Sequence, residues 1–139
     1  MKLNSVNLRI VNSSDYRFLF NLLKERDPRA NISHKKMPTF SEHVKFVQSK
    51  PYSKWYIIVD ENQNRMGTIY LTKKNEVGIF IKKEYLKKGI GSIALQTLIQ
   101  KNPKSRYIAN INPKNQKSKS FFKKHGFEPF QISYELVHN

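Results

Sequence analysis

The chain has no cysteine among its 139 residues, which removes disulfides, thiolate metal ligands and a cysteine nucleophile. Acidic residues are scarce: ten Asp and Glu stand against 26 Lys and Arg, a formal charge of +16. No apolar run approaches the roughly 20 residues of a membrane-spanning helix, and residues 1–11 lack the apolar core of a signal peptide. The expectation is a cytoplasmic protein with a single domain over residues 1–139, large enough for one core. Glycine is sparse too. All five glycines lie after residue 66, at strand, loop or helix-end positions, so they read as placed rather than filler.

The positive balance favours an anionic partner: nucleic acid, a phosphorylated substrate or a polyanionic cofactor. Yet 20 lysines against six arginines, with thirteen asparagines and thirteen isoleucines, also fit the residue bias of an A-rich genome. The lysines run along the whole chain. Charge alone does not name the partner.

Residues 7–11 alternate like a short strand. Ser13, Ser14 and Asp15 offer cap oxygens to a helix with Tyr16, Leu19, Phe20 and Leu23 on one stripe, ended by Asp27 and Pro28. Residues 29–38 read as irregular. Thr39 and Glu42 form a capping-box pattern for a second helix burying Phe40, Val44 and Phe46 or Val47. Residues 55–59 and 67–71 read as a hairpin around the turn 60–64, followed by a strand over 77–81. A helix from Gly91 stops at Asn102 and Pro103. Residues 106–111 read as a strand, Asn115 caps a helix closed by Gly126, and 127–137 supply one or two last strands.

The segment 76–95 carries the most chemistry. An apolar strand leads through a basic loop to Gly89 and Gly91 and then to a helix. Glycines allow close backbone approach, and the free N–H groups of a first helical turn point at an anion, an arrangement suited to pyrophosphate. Lys87 and Lys88 add positive charge there.

This element order, with two motifs, resembles the GNAT superfamily of acyl-CoA-dependent N-acyltransferases. The first motif, Arg/Gln-x-x-Gly-x-Gly/Ala, is matched by Leu86, Lys87, Lys88, Gly89, Ile90 and Gly91. The second is matched by Asn115, Ser118, Phe122, Gly126 and Phe127. The resemblance implies an α/β (α+β) fold: a mixed, mostly antiparallel central sheet of six to seven strands flanked by about four helices. It implies acetyl-CoA as co-substrate, with Ile79, Phe80 and Ile81 lending backbone groups to the pantetheine arm. It places Lys87, Lys88, Gly89, Ile90, Gly91 and Ser92 around the pyrophosphate, and Asn115 near the sulfur end, where Phe122 also lies; Asn115 as a plain N-cap is compatible with that role.

Two positions depart from the family pattern. Leu86 replaces the first Arg/Gln, so Lys87 or Lys88 must supply the charge. The tyrosine that many members use as general acid is Phe122, and the glutamate that many place five residues before the motif asparagine is Asn110. Candidates for the base are therefore Glu76, at the head of the cofactor strand, and His43. Tyr134, on a late strand, is the candidate proton donor. Each of the three also has an ordinary structural reading. His34 and His125 are weaker candidates, and no histidine–carboxylate spacing suggests a metal. Acetyl transfer by direct attack needs a neutral amine, donors for the carbonyl oxygen and close positioning.

In this fold the acceptor binds over residues 18–52, which include Arg26, Arg29, Ser33, Glu42 and His43, near the aromatics Tyr52, Trp55 and Tyr56. A small-molecule amine is expected, with a nucleotide-linked amino sugar or another small anionic amine as the acceptor. The alternatives are a protein N-terminal or ribosomal-protein acetyltransferase, and a non-catalytic basic module binding nucleic acid or CoA. No membrane partner is expected, and the protein is a monomer or a homodimer on this reading.

Overall fold

The apolar runs form a four-stranded sheet in the order β1 (Asn7–Ile10), β2 (Lys54–Val59), β3 (Arg65–Leu71) and β4 (Val77–Ile81). Every neighbouring pair is antiparallel. The structure, a computed structural model, describes residues 5–26 and 36–138. Predicted features at Asp27, Pro28, Arg29, Ser33 and His34 lie outside the described residues. A bulge between Ile58 and Val59 shifts the β2–β3 register. Asp60 closes their turn by accepting the Asn62 and Asn64 amides, each at 2.9 Å.

Period two sorts the side chains into two layers. Tyr56, Ile58, Ile69, Leu71 and Val77 pack with Ile90, Ala94, Leu95, Leu98 and Phe122, from α3 (Ile90–Lys101) and α4 (Gln116–Lys124). On the opposite face, Ile57 and Val59 pack with Leu19 and Val47, from α1 (Tyr16–Glu25) and α2 (Phe40–Gln48). Tyr56 therefore belongs to the core beneath α3, where its hydroxyl accepts from Asn102 Nδ2 at 3.2 Å. It is not part of the acceptor aromatics, which correction follows from β2 alternation.

Asn12, one residue before the expected caps, caps the turn leading into α1, and its partner in the capping box is Asp15. Asp15 is fully buried because it ties three parts of the chain together. It takes Arg9 Nη2 at 2.7 Å, Arg65 Nε at 2.8 Å and the Asn12 amide at 2.8 Å. Burial works to raise the Asp15 carboxyl. The Arg9, Asn12 and Arg65 bonds outweigh it and hold the pKa below the usual carboxylate range.

The expected sheet of six to seven strands is not formed among the described residues. Segment 106–111 touches the sheet through one parallel bridge, Glu76 to Ile108. The Tyr107 hydroxyl is bound instead to the end of α3, donating to the Asn102 carbonyl at 2.7 Å. Residues 127–137 form no strand, since no second strand among the described residues lies against them and a lone strand is not stable. No helix among the described residues is long and apolar enough to cross a membrane.

Candidate active site

The open edge of β4 starts the site. Thr72 donates its amide to the Glu76 carbonyl at 2.9 Å, and Lys82 donates to the Met66 carbonyl at 2.8 Å. Even-numbered residues of β4 thus spend their backbone groups on β3, and odd-numbered ones point the other way. Val77 uses its amide on the Ile108 carbonyl at 2.7 Å. Beyond that bridge the two segments part, and the backbone groups of Ile79 and Ile81 face the gap. The Phe80 backbone is committed to Thr68 across the β3 ladder, so of the three expected contributors two are turned toward an incoming arm.

At the far end of β4 a 3-10 turn (Lys83–Tyr85) leads into the glycine loop. Lys87 and Gly89 both have positive φ, 63° and 75°. Gly89 is the N-cap of α3 and has no side-chain oxygen to offer. Ile93 is the first amide to find a carbonyl within the helix, that of Gly89 at 3.3 Å, which leaves Ile90, Gly91 and Ser92 pointing outward. A Cβ built on Gly89 meets nothing within 4 Å, whereas one on Gly91 meets Phe121 Cε1 at 3.3 Å. Gly89 thus keeps the loop mouth bare, and Gly91 lets α4 pack close. Exposed Lys87 and Lys88 flank a cradle whose chemistry fits a diphosphate.

Glu76 sits where β4 and segment 106–111 touch. Its Oε1 accepts from Thr72 Oγ1 at 3.0 Å and its Oε2 from Asn110 Nδ2 at 2.6 Å. Two neutral donors orient the carboxylate and leave it half-buried at the head of the gap. Asn110 is the residue that replaces the expected glutamate, and here it holds one.

Beside Glu76 the α1–α2 face carries an aromatic wall. Tyr70 lies over Gly78, its register partner on β4, and any Cβ at Gly78 would collide with the Tyr70 ring. Tyr52 stacks on Tyr70 with centroids 3.8 Å apart and planes 3° from parallel. Trp55 meets Tyr52 edge-on at 4.7 Å, its indole N–H held by Thr68 Oγ1 at 2.8 Å. Burial pushes both the Tyr52 and Tyr70 hydroxyls above the ordinary tyrosine range, keeping them neutral. Arg26, at the C-terminal cap of α1, lays its guanidinium 4.2 Å from the Phe80 ring centroid. Desolvation lowers its pKa, opposed by the nearby Tyr70 and Tyr52. The α1 end is anchored there because Glu25 accepts the Lys83 amide at 2.9 Å.

Other predicted site residues are placed as follows. His43 is 6% exposed, its ring between Phe20 and Phe46 at 5.8 and 6.1 Å. Burial lowers its pKa, and Nδ1 has no hydrogen-bond partner among the described residues. Asn115 caps α4, accepting the Ser118 amide at 3.1 Å. Phe122 is a core residue, edge-on to Phe121 and Phe127. Ser92 Oγ lies 2.9 Å from His125 Nε2, joining the first turn of α3 to the end of α4. Tyr134 is almost wholly solvent-exposed, because the strand expected to carry it is not formed among the described residues. Among the described residues no His, Asp and Glu group is placed to hold a metal ion. Tyr70 was missed in the sequence; its signal was its register opposite Gly78, legible only once the hairpin is paired.

A family model described as the acetyltransferase (GNAT) family matches residues 16–127. Spermidine N-acetyltransferase from Vibrio cholerae, solved with CoA and spermine, superposes with a TM-score of 0.80 at 18% identity, covering 98% of this chain and 89% of that one. A domain from Methanocaldococcus jannaschii gives 0.74 at 22% identity, covering 94% and 92%. An acetyltransferase from Thermus thermophilus gives 0.70 at 18%, covering 92% and 90%. At these identities the superpositions speak to the fold alone. No curated protein sequence matches the chain.

Proposed function

Because the chain belongs to the GNAT acetyltransferase family, and is an N-acetyltransferase with acetyl-CoA as co-substrate, we propose that its acceptor is a small primary amine bearing an anionic group. One observation carries this reading: the Arg26 guanidinium over Phe80, beside the Tyr52–Tyr70 stack. A cation at the acceptor face repels a polyamine and attracts a phosphate or carboxylate. The flat aromatic faces suit a sugar ring or a base, and a nucleotide-linked amino sugar combines both features.

In this reading the acceptor's anionic group lies at Arg26 and its amine reaches toward Glu76. An alkyl amine has a pKa near ~10.4, so removal of its proton is where a base contributes most. Glu76 takes that proton, its carboxylate oriented by Thr72 and Asn110. The neutral amine nitrogen bonds to the acetyl carbon as the carbon–sulfur bond breaks, and the second proton that the nitrogen sheds in forming the amide passes through solvent to the departing thiolate. The Ile79 and Ile81 backbone groups hold the pantetheine arm, and the amides of Ile90, Gly91 and Ser92 hold the diphosphate.

A thiol-release assay over a panel of amines tests the assignment. Nucleotide-linked amino sugars and other anionic amines should react, and Arg26→Met should raise their KM at least about tenfold without changing that of acetyl-CoA. Turnover confined to polyamines or to peptide N-termini would refute the anionic acceptor.

A further inference from the structure

We propose that Tyr70 is a catalytic residue, whose hydroxyl donates a hydrogen bond to the carbonyl oxygen of the acetyl group as that oxygen gains negative charge. This role requires the pantetheine arm of the proposed function to lie in the gap beside β4, but no particular acceptor.

The gap has one closed end. The Val77 amide on the Ile108 carbonyl and the bridge from Glu76 to Ile108 shut it at the head of β4. The diphosphate cradle of Ile90, Gly91 and Ser92 lies past the other end of that strand. An arm running from the cradle passes Ile81, then Ile79, and can go no further than the bridge. Its thioester end therefore stops beside Gly78.

Gly78 is also where Tyr70 crosses the strand. Glu76, Gly78 and Phe80 alternate onto one face, and glycine leaves a hole between a carboxylate and a ring. Tyr70, the register partner of Gly78 on β3, fills it. A Cβ built on Gly78 would fall on the Tyr70 Cζ and Oη atoms. The hydroxyl, rather than the ring face, is thus what a side chain at this position would displace. The stack with Tyr52, centroids 3.8 Å apart, fixes the ring in that pose.

The surroundings suit a donor. Burial raises the Tyr70 pKa, the Tyr52 hydroxyl and the Arg26 charge work to lower it, and the Glu76 carboxylate raises it. The balance keeps the phenol protonated, while Tyr52 and Arg26 polarise its O–H bond. A half-buried hydroxyl held in place before the reaction begins is worth more to a developing oxyanion than water that must reorient. The proton stays on the phenol throughout, so Glu76 keeps its separate task of taking the amine proton.

Tyr70→Phe removes the hydroxyl and keeps the ring. With whichever amine of the panel turns over fastest, kcat should fall at least about a hundredfold, the usual loss for one oxyanion donor. The KM values of both substrates and the urea midpoint should stay close to those of the unaltered protein. A role in packing alone cannot move the second readout, the infrared carbonyl band of bound acetyl-CoA carrying a heavy carbonyl carbon, recorded without an amine. A hydrogen bond weakens that carbonyl, so the band should shift to higher frequency in Tyr70→Phe. Unchanged kcat, or a band that stays in place, would overturn the assignment. Failure of the unaltered protein to bind acetyl-CoA would overturn the placement of the arm as well.

Discussion

Asn110 donates its side-chain amide to Glu76 at 2.6 Å, across the single bridge joining segment 106–111 to β4. The position that holds a carboxylate in many proteins of this fold holds an amide here, and the carboxylate comes from the strand beside it. The two side chains thus keep a carboxylate at the mouth of the gap.

Glu76→Gln should lower kcat by about a hundredfold or more, the range for a general base, with acetyl-CoA affinity unchanged. Asn110→Ala leaves the carboxylate but removes one of its two tethers, and a loss nearer tenfold is expected. Steady-state kinetics at saturating acetyl-CoA checks both. Unchanged turnover in Glu76→Gln would remove the residue from the base role.

Gly91→Asp separates binding from stability. A carboxylate in the first turn of α3 suits the helix dipole, but it adds negative charge beside the amides proposed to bind the diphosphate and so opposes that anion. Its Cβ meets Phe121 at 3.3 Å, a contact that small shifts relieve. Calorimetric titration should show acetyl-CoA affinity reduced at least tenfold, about 1.4 kcal/mol, with thermal unfolding little changed.

Gly78→Ala should destabilise the fold by about 1–3 kcal/mol, the cost of overpacking a filled site, because the new methyl collides with the Tyr70 ring. Combining it with Tyr70→Ala should recover part of that loss. Urea unfolding of the two single variants and the double variant measures the coupling.

Acid should destabilise the protein in two steps. The buried His43 has a lowered pKa, so the unfolded chain takes up its proton first. Stability then declines as pH falls below the unfolded value near ~6.5 and on toward the folded one. Asp15 has a lowered pKa, so its contribution is intact above about 3.9 and is lost as pH falls through the folded value. His43→Phe should abolish the first step in pH-dependent urea midpoints. Asp15→Asn should cost about 2–3 kcal/mol at neutral pH and flatten the second.

Much of the site was legible because it depends on local chemistry. A left-handed Gly89 and uncapped first-turn amides in α3 follow from neighbours in the chain, as does the Asn115 cap of α4. The β2–β3 hairpin and β4 were readable from short-range alternation. Glu76 stood out as the carboxylate heading the cofactor strand, but the Asn110 amide that holds it, 34 residues away, was visible only as a departure from a motif. The strands expected at 106–111 and 127–137 have the right composition, but among the described residues the first meets the sheet at one bridge and the second pairs with no strand, and alternation reports a face to be covered without saying what covers it.

Local sequence therefore decided the helices, the turns, the anion-binding loop and which residues are apolar on which side, since those follow from backbone sterics and period. Tertiary structure decided that Tyr56 turns into the core while Tyr52 and Tyr70 stack half-buried on the opposite face, and that Asp15 is a buried anchor for Arg9 and Arg65. It also brought Arg26 onto Phe80 and left Tyr134 in solvent. Each of these depends on strand register or on contacts between distant segments, and such pairings are set by the summed burial of the whole chain rather than by any window of it.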